Sequence, residues 1–231
     1  MDLPKNQSHI VCKNKFIGDD LYILGSGYSM SFIDKSFFDR KITIGANLMY
    51  RQFPIKYSVI KHKQFIEEAV EEGQIVIASK HDCGDIEHEL NPLGANYYFT
   101  HKKGRFGELE ENFIENINSI GKDDDIFVSY STITSCIHLA AYMGAKNIII
   151  CGHDCGWLDD RSHIDGYQER LVDFYEKEEK FNEYYNGWFE RIQNDTIRLK
   201  AKLKEVYKCN IYSLNPFINF GLEGHTYVTT K

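Results

Sequence analysis

Two residues able to do chemistry stand where a strand-like run gives out. Gly152-His153-Asp154 directly follows the apolar stretch Asn147–Cys151. A second histidine comes soon after, in Asp160-Arg161-Ser162-His163. A polar pair at the end of a buried strand is costly unless it is partnered or used. Histidine exchanges protons near neutral pH, so His163 and His153 are candidate general bases. Asp154 beside them is the third catalytic candidate. The structural alternative is a hydrogen-bonded core histidine, which a sequence alone does not exclude.

Candidate binding residues occupy equivalent places. Gly25-Ser26-Gly27-Tyr28-Ser29 follows the run Leu21–Leu24. Its glycines let backbone approach a phosphate, and a helix start beyond it would offer N–H donors. A tight turn without ligand would carry similar residues. No dinucleotide fingerprint and no Gly-Lys-Ser/Thr P-loop is present, so a mononucleotide carrying a sugar is expected rather than NAD. Asn47 follows Ile42–Ala46 and could read a base or ribose, or cap a turn. Lys61, His62 and Lys63 follow Tyr57–Ile60 as a small basic cluster. Ser131, Thr132 and Thr134 follow Ile126–Val128, where hydroxyls serve as helix caps or as phosphate donors. Cys151-x-His153-x-Cys155 has the look of a metal cluster, but no second ligand pair follows at zinc-site spacing, and no metal site is expected.

These positions are read against eight predicted strands: Leu21–Leu24, Ile42–Ala46, Tyr57–Ile60, Ile75–Ala78, Tyr97–Thr100, Ile126–Val128, Asn147–Cys151 and Ile211–Ser213. Unbroken β-branched runs fit strands buried on both faces of a parallel sheet. Thr132–Met143 has apolar residues at helical spacing (Ile133, Ile137, Ala140, Ala141) and stops before Gly144. Ile192, Thr196, Leu199, Leu203 and Val206 mark a packed crossover helix before the last strand. The expectation is one α/β domain over 1–231 with a Rossmann-like, doubly wound, mostly parallel sheet. The aromatic stretch over 165–190 (Tyr167, Leu171, Phe174, Phe181, Tyr184, Trp188, Phe189) reads as a helical flap packed on the body, with a lid over the site as the functional alternative.

Bulk properties narrow the class. The chain has 231 residues, a net charge of −7 and 14% aromatics. An acidic chain gives no strong nucleic-acid signal, since phosphate binding relies on Lys and Arg. No signal peptide and no apolar run of membrane-spanning length are read, so a cytoplasmic location is expected. Peripheral membrane association and homo-oligomerisation stay open. The six cysteines are scattered and read as reduced thiols.

Three stretches carry a resemblance. Gly25-Ser26-Gly27-Tyr28-Ser29-Met30 with Ile33-Asp34 is similar to the amino-terminal turn of the bacterial lipooligosaccharide sialyltransferases, glycosyltransferase family 42. Asn47 with Met49-Tyr50 resembles that family's Asn at the second strand end. Ala141 to Asp154, then Asp160-Arg161-Ser162-His163, resembles its Gly-x-Asp signature and the segment with the catalytic His. Tyr28 stands where the family has proline, the gap before His163 is shorter, and a long aromatic helix comes after it. The run from Gly144 to Asp154 is also similar to the MptE-like family, some of whose members are pterin pyrophosphokinases.

The first resemblance implies a metal-independent, cofactor-free inverting transfer from a CMP-activated sugar to a glycan or small hydroxyl acceptor. His163 would take the acceptor proton. Gly27, Ser29 and Asn47, with Gly25 and Ser26, would hold the nucleotide, and Ser131, Thr132 and Thr134 would line the cleft or contact phosphate. The second implies an ATP-dependent pyrophosphokinase needing Mg²⁺ and carboxylates, with Asp154 and Asp82 or Asp85 as candidates. A nucleotide-binding module without catalysis is the third reading.

Overall fold

The computed structural model describes residues 5–81, 89, 93–102, 110–167 and 178–214. Its centre is one eight-stranded sheet in the order β1-β6-β5-β4-β3-β2-β7-β8. The strands are β1 (Gln7–Ser8), β2 (Asp20–Leu24), β3 (Ile42–Ala46), β4 (Tyr57–Ile60), β5 (Val76–Ser79), β6 (Tyr97–Phe99), β7 (Asn147–Cys151) and β8 (Asn210–Ser213). Every neighbouring pair is parallel. From β2 the chain winds outward to β6, then crosses back and lays β7 on the other side of β2. The sheet therefore changes winding direction between β2 and β7.

Period-two alternation assigns the two faces. Leu21, Ile23, Ile148, Ile150 and Val59 point into the larger core cluster. Leu24, Ile149 and Cys151 point to the opposite face, where Met30, Phe38, Met49 and Phe53 meet them. On that second face Ile60, Val76 and Ala78 receive Ile66 and Ala69 of α1 (Lys63–Glu71). Helix α2 spans Glu110–Ser119. Helix α3 (Thr132–Tyr142) is buried at every position, lies against β2, β3, β4 and β7, and ends at Gly144 in the left-handed region, φ +91°. Helix α4 (Glu178–Tyr207) covers α3, with Leu199 and Leu203 fully buried.

The predicted strand at Ile126–Val128 is absent, although the three residues are 1%, 3% and 2% exposed. Side chains of α3 take the hydrogen bonds a neighbouring strand would have supplied. Phe127 N–H donates to His138 Nδ1 at 2.9 Å, and Ser135 Oγ donates to Phe127 O at 3.0 Å. An N–H donor at Nδ1 fixes the proton of the neutral ring on Nε2, which faces Tyr207 OH at 3.2 Å. Strand β1 went unread because its two residues are polar and exposed. Replacing His138 by Leu keeps the volume but strands a buried N–H. The variant is expected to lose about 1–3 kcal/mol in urea denaturation, and an unchanged midpoint would remove this role.

Candidate active site

Beyond the carboxyl ends of β2 and β7 lies the crevice where open α/β sheets bind ligands. The register Leu24↔Cys151 puts the two exits side by side. The pairing continues past the strands: Gly25 N–H donates to Cys151 O and Gly27 N–H to Gly152 O, both at 2.8 Å. A Cβ at Gly27 would stand 2.5 Å from Asp154 Cγ, and one at Gly25 would run into the Gly152 carbonyl and lie 3.0 Å from Ile133 Cδ1. These glycines therefore answer first to the adjoining loop. Their place in the sequence suited a phosphate, but the steric demand here comes from protein.

After Gly27 the chain forms a 3-10 turn, Tyr28–Phe32, and not the longer helix whose free N–H groups the sequence suggested. Asp154 binds its start: Ser29 donates to the carboxylate from its backbone N–H at 2.8 Å and from Oγ at 2.5 Å. Burial, at 3% exposure, pushes the Asp154 pKa up, and the Ser29 bonds pull against that shift. A carboxylate holding two donors in this way fixes the turn. His153 points elsewhere. Its Nε2 meets Thr196 Oγ1 at 2.8 Å, and that hydroxyl donates to Ile192 O at 2.8 Å. Thr196 thus accepts from Nε2–H, while Cys155 Sγ lies 4.0 Å from Nδ1. Burial pushes the His153 pKa down to about 4. Both were candidates for chemistry, and the structure puts both into the framework.

His163 is brought directly onto the glycine turn. It forms an antiparallel bridge with Gly27, and Ile164 N–H donates to Ser26 O at 2.9 Å. Its ring stacks on Tyr167 at 5.5 Å and 11°, and its Nδ1 is 2.8 Å from Ser162 Oγ. Asn47 reaches the same group, donating from Nδ2 to Tyr167 OH at 3.4 Å. Asn47 has φ 52°, and its buried Oδ1 has no hydrogen-bond partner among the described residues. Desolvation pushes the His163 pKa down to about 3, which keeps the imidazole neutral at physiological pH. Ser162 and Tyr167 were not read as site residues. The spacing of Tyr167 four beyond His163 was the available signal.

The hydroxyl-rich start of α3 is largely engaged. Ser131 Oγ caps the helix by accepting from Ile133 N–H at 3.2 Å. Thr134 Oγ1 donates to Ser131 O at 2.6 Å and faces Ser129 Oγ at 3.0 Å. The buried Lys61 ammonium donates to Ser129 O at 3.0 Å, so one member of the basic cluster is a brace between β4 and α3. Thr132 forms no side-chain hydrogen bond among the described residues and lies beside the crevice next to Ile133. Two ring contacts tie α4 to the strand-end loops: Tyr130–Trp188 at 3.9 Å and Trp157–Phe189 at 5.9 Å. Asp82, Asp85, Leu171 and Phe174 lie outside the described residues. Among the described residues no group of three or more His, Cys, Asp or Glu gathers to hold a metal ion.

An open parallel sheet whose winding changes direction between β2 and β7 defines a doubly wound, Rossmann-like α/β fold. Solved structures make the class more particular. The chain is similar over 92% of its length to the sialyltransferase CstII from Campylobacter jejuni in complex with the substrate analogue CMP-3FNeuAc, with TM-score 0.53, 15% identity and 88% of that chain covered. It is similar over 93% to the monofunctional alpha-2,3-sialyltransferase Cst-I from Campylobacter jejuni, with TM-score 0.51, 16% identity and 85% of that chain covered. CST-II in complex with a trisaccharide acceptor and CMP matches at TM-score 0.52 and 16% identity, covering 92% of this chain and 91% of that one. The fold is thus that of these sialyltransferases. No protein-family model and no curated protein matches the sequence. No described helix is long and apolar enough to cross a membrane.

Two outcomes are expected. Gly27→Ala forces a Cβ against Asp154 and should lower stability by about 1–3 kcal/mol, read from the denaturant midpoint. Burial lowers His138 and His163 to about 3 and His101 and His153 to about 4, all below the ordinary 6.5. The unfolded chain then binds more protons than the folded one below pH 6.5. Stability is full above that value and is lost as pH falls, by about 1 kcal/mol per group for each pH unit. The melting temperature should drop clearly between pH 7.5 and 5.5, and a flat profile would contradict buried neutral rings.

Proposed function

We propose that this protein is a glycosyltransferase that moves a sugar from a CMP-activated donor, of the CMP-sialic acid type, to a hydroxyl of a glycan or small acceptor. One observation carries the reading: His163 lies across the Gly25–Gly27 turn at the change of winding, in a chain that shares its fold with CMP-bound sialyltransferases. The chemistry asks for little more than a base, a held leaving group and a nucleotide cradle. The neutral imidazole of His163 takes the acceptor proton while the acceptor oxygen attacks the anomeric carbon. The bond from that carbon to the phosphate oxygen breaks with inversion, and CMP carries away the electron pair. Ser162 accepting from Nδ1–H would leave Nε2 as the proton acceptor, and stacking on Tyr167 holds the ring plane. The departing phosphate stabilises the imidazolium as it forms, which offsets the low proton affinity of the buried ring.

In this reading Gly25, Ser26, Gly27 and Ser29 form one wall of the nucleotide site, shaped by Asp154. Asn47 Oδ1 is the acceptor for a ribose hydroxyl or a base amino group. Thr132 lines the opposite wall at the start of α3, and Ser131 and Thr134 set its geometry. No metal or cofactor takes part. His163→Ala is expected to cut transfer by about 10²–10⁴-fold while CMP still raises the melting temperature as in the wild type. Turnover should persist in excess chelator. Full activity in the variant, or a melting temperature that responds to ATP with Mg²⁺ and not to CMP, would overturn the assignment.

A further inference from the structure

A transfer of this kind leaves negative charge on the departing phosphate, and the residue two before His163 carries a positive one. Leu158 and Arg161 close a tight hairpin, with Leu158 N–H donating to Arg161 O at 2.9 Å and Arg161 N–H to Leu158 O at 3.0 Å. The two residues between them, Asp159 and Asp160, have φ 50° and 58°. Glycine, asparagine and aspartate are the residues that accept this hand, so the Asp-Asp pair makes a tight corner. Its effect is to start a segment at Arg161 that crosses the glycine turn. Ser162 and Ile164 are buried while Arg161 and His163 are half-buried, so the latter two share the more open side. His163 faces Gly27, and the Arg161 guanidinium lies over the next residue of that turn, 5.6 Å from the centre of the Tyr28 ring. A base and a fork of N–H donors thus stand along one edge of the crevice.

One contact of the guanidinium is an ion pair that it can exchange. Arg161 Nη2 contacts Asp165 Oδ1 at 2.8 Å, but the Asp165 side chain is 79% exposed against 28% for Arg161. An ion pair with so solvated a carboxylate contributes about 0–1 kcal/mol. A phosphate offers the same fork a bidentate, charge-assisted match.

We propose that Arg161 binds the nucleotide phosphate and stabilises it as the leaving group, with Asp165 holding the side chain until donor arrives. When the bond between anomeric carbon and phosphate oxygen breaks, the electron pair stays on that oxygen, facing the guanidinium. The acceptor proton goes to His163, so both charged products arise beside groups of the same segment. This inference rests on the transferase reading of the site.

Calorimetric titration of the full chain with CMP and with cytidine tests it, because the two ligands differ by the phosphate. The wild type should prefer CMP. In Arg161→Gln that preference should fall about 10–100-fold, with cytidine affinity unchanged, and Arg161→Lys should lie between. A wild type that prefers CMP and an Arg161→Gln variant that keeps the preference would overturn the role of Arg161 alone. A wild type with no preference for CMP would overturn the transferase reading and this inference together. Should Arg161→Gln fail to fold, Asp165→Asn decides: removing the competing carboxylate should raise the CMP preference severalfold, and an unchanged preference would count against the proposal.

Discussion

The site depends on how closely the β2 exit can approach the β7 exit. Two glycine positions leave room for the Gly152–Asp154 backbone and carboxylate, and Asp154 then draws the Ser29 end of the turn inward through two hydrogen bonds. Only with that contact made can the returning segment pair His163 with Gly27 and Ile164 with Ser26. Gly152, at φ +65°, is the hinge of the same arrangement, since it turns the chain off β7 where a side chain would strike Met30. A single close approach thus orders the glycine turn and the His163 segment that crosses it.

Burial then sets the chemical character. Desolvation keeps His153 and His163 uncharged, but their surroundings separate them. His153 is tied to Thr196 of α4 and is part of the frame, whereas His163 stacks on Tyr167 beside an amide oxygen with no partner among the described residues. Two histidines of similar proton affinity thus differ in what faces them.

The sheet was legible because its strands are unbroken β-branched runs, and the end of α3 because Gly144 stops it. Ile126–Val128 misled because a buried apolar triplet looks the same whether a strand or a helix side chain satisfies its backbone. The strand-end rule led to Gly25, Asn47 and Gly152, which the fold does place at the carboxyl ends of β2, β3 and β7. It did not reveal which polar atoms turn inward. Whether Asp154 faces Ser29, or Ser131 its own helix, depends on contacts over more than a hundred residues in one case and two in the other, and a single sequence encodes neither directly. Arg161 was visible as a letter in a motif, but its lie over Tyr28 depends on the hairpin closed between Leu158 and Arg161, a contact that its neighbours in sequence do not announce.

Helix α4 is bound to the crevice by aromatic contacts that happen to include both tryptophans of the chain. Trp188 packs on Tyr130 at the start of α3, and Trp157, in the loop after β7, packs on Phe189. Every indole in the protein therefore sits on the seam between the long helix and the strand-end loops. The tryptophan fluorescence of the unmodified chain is consequently a local signal, reporting how firmly that helix is seated on the strand-end loops.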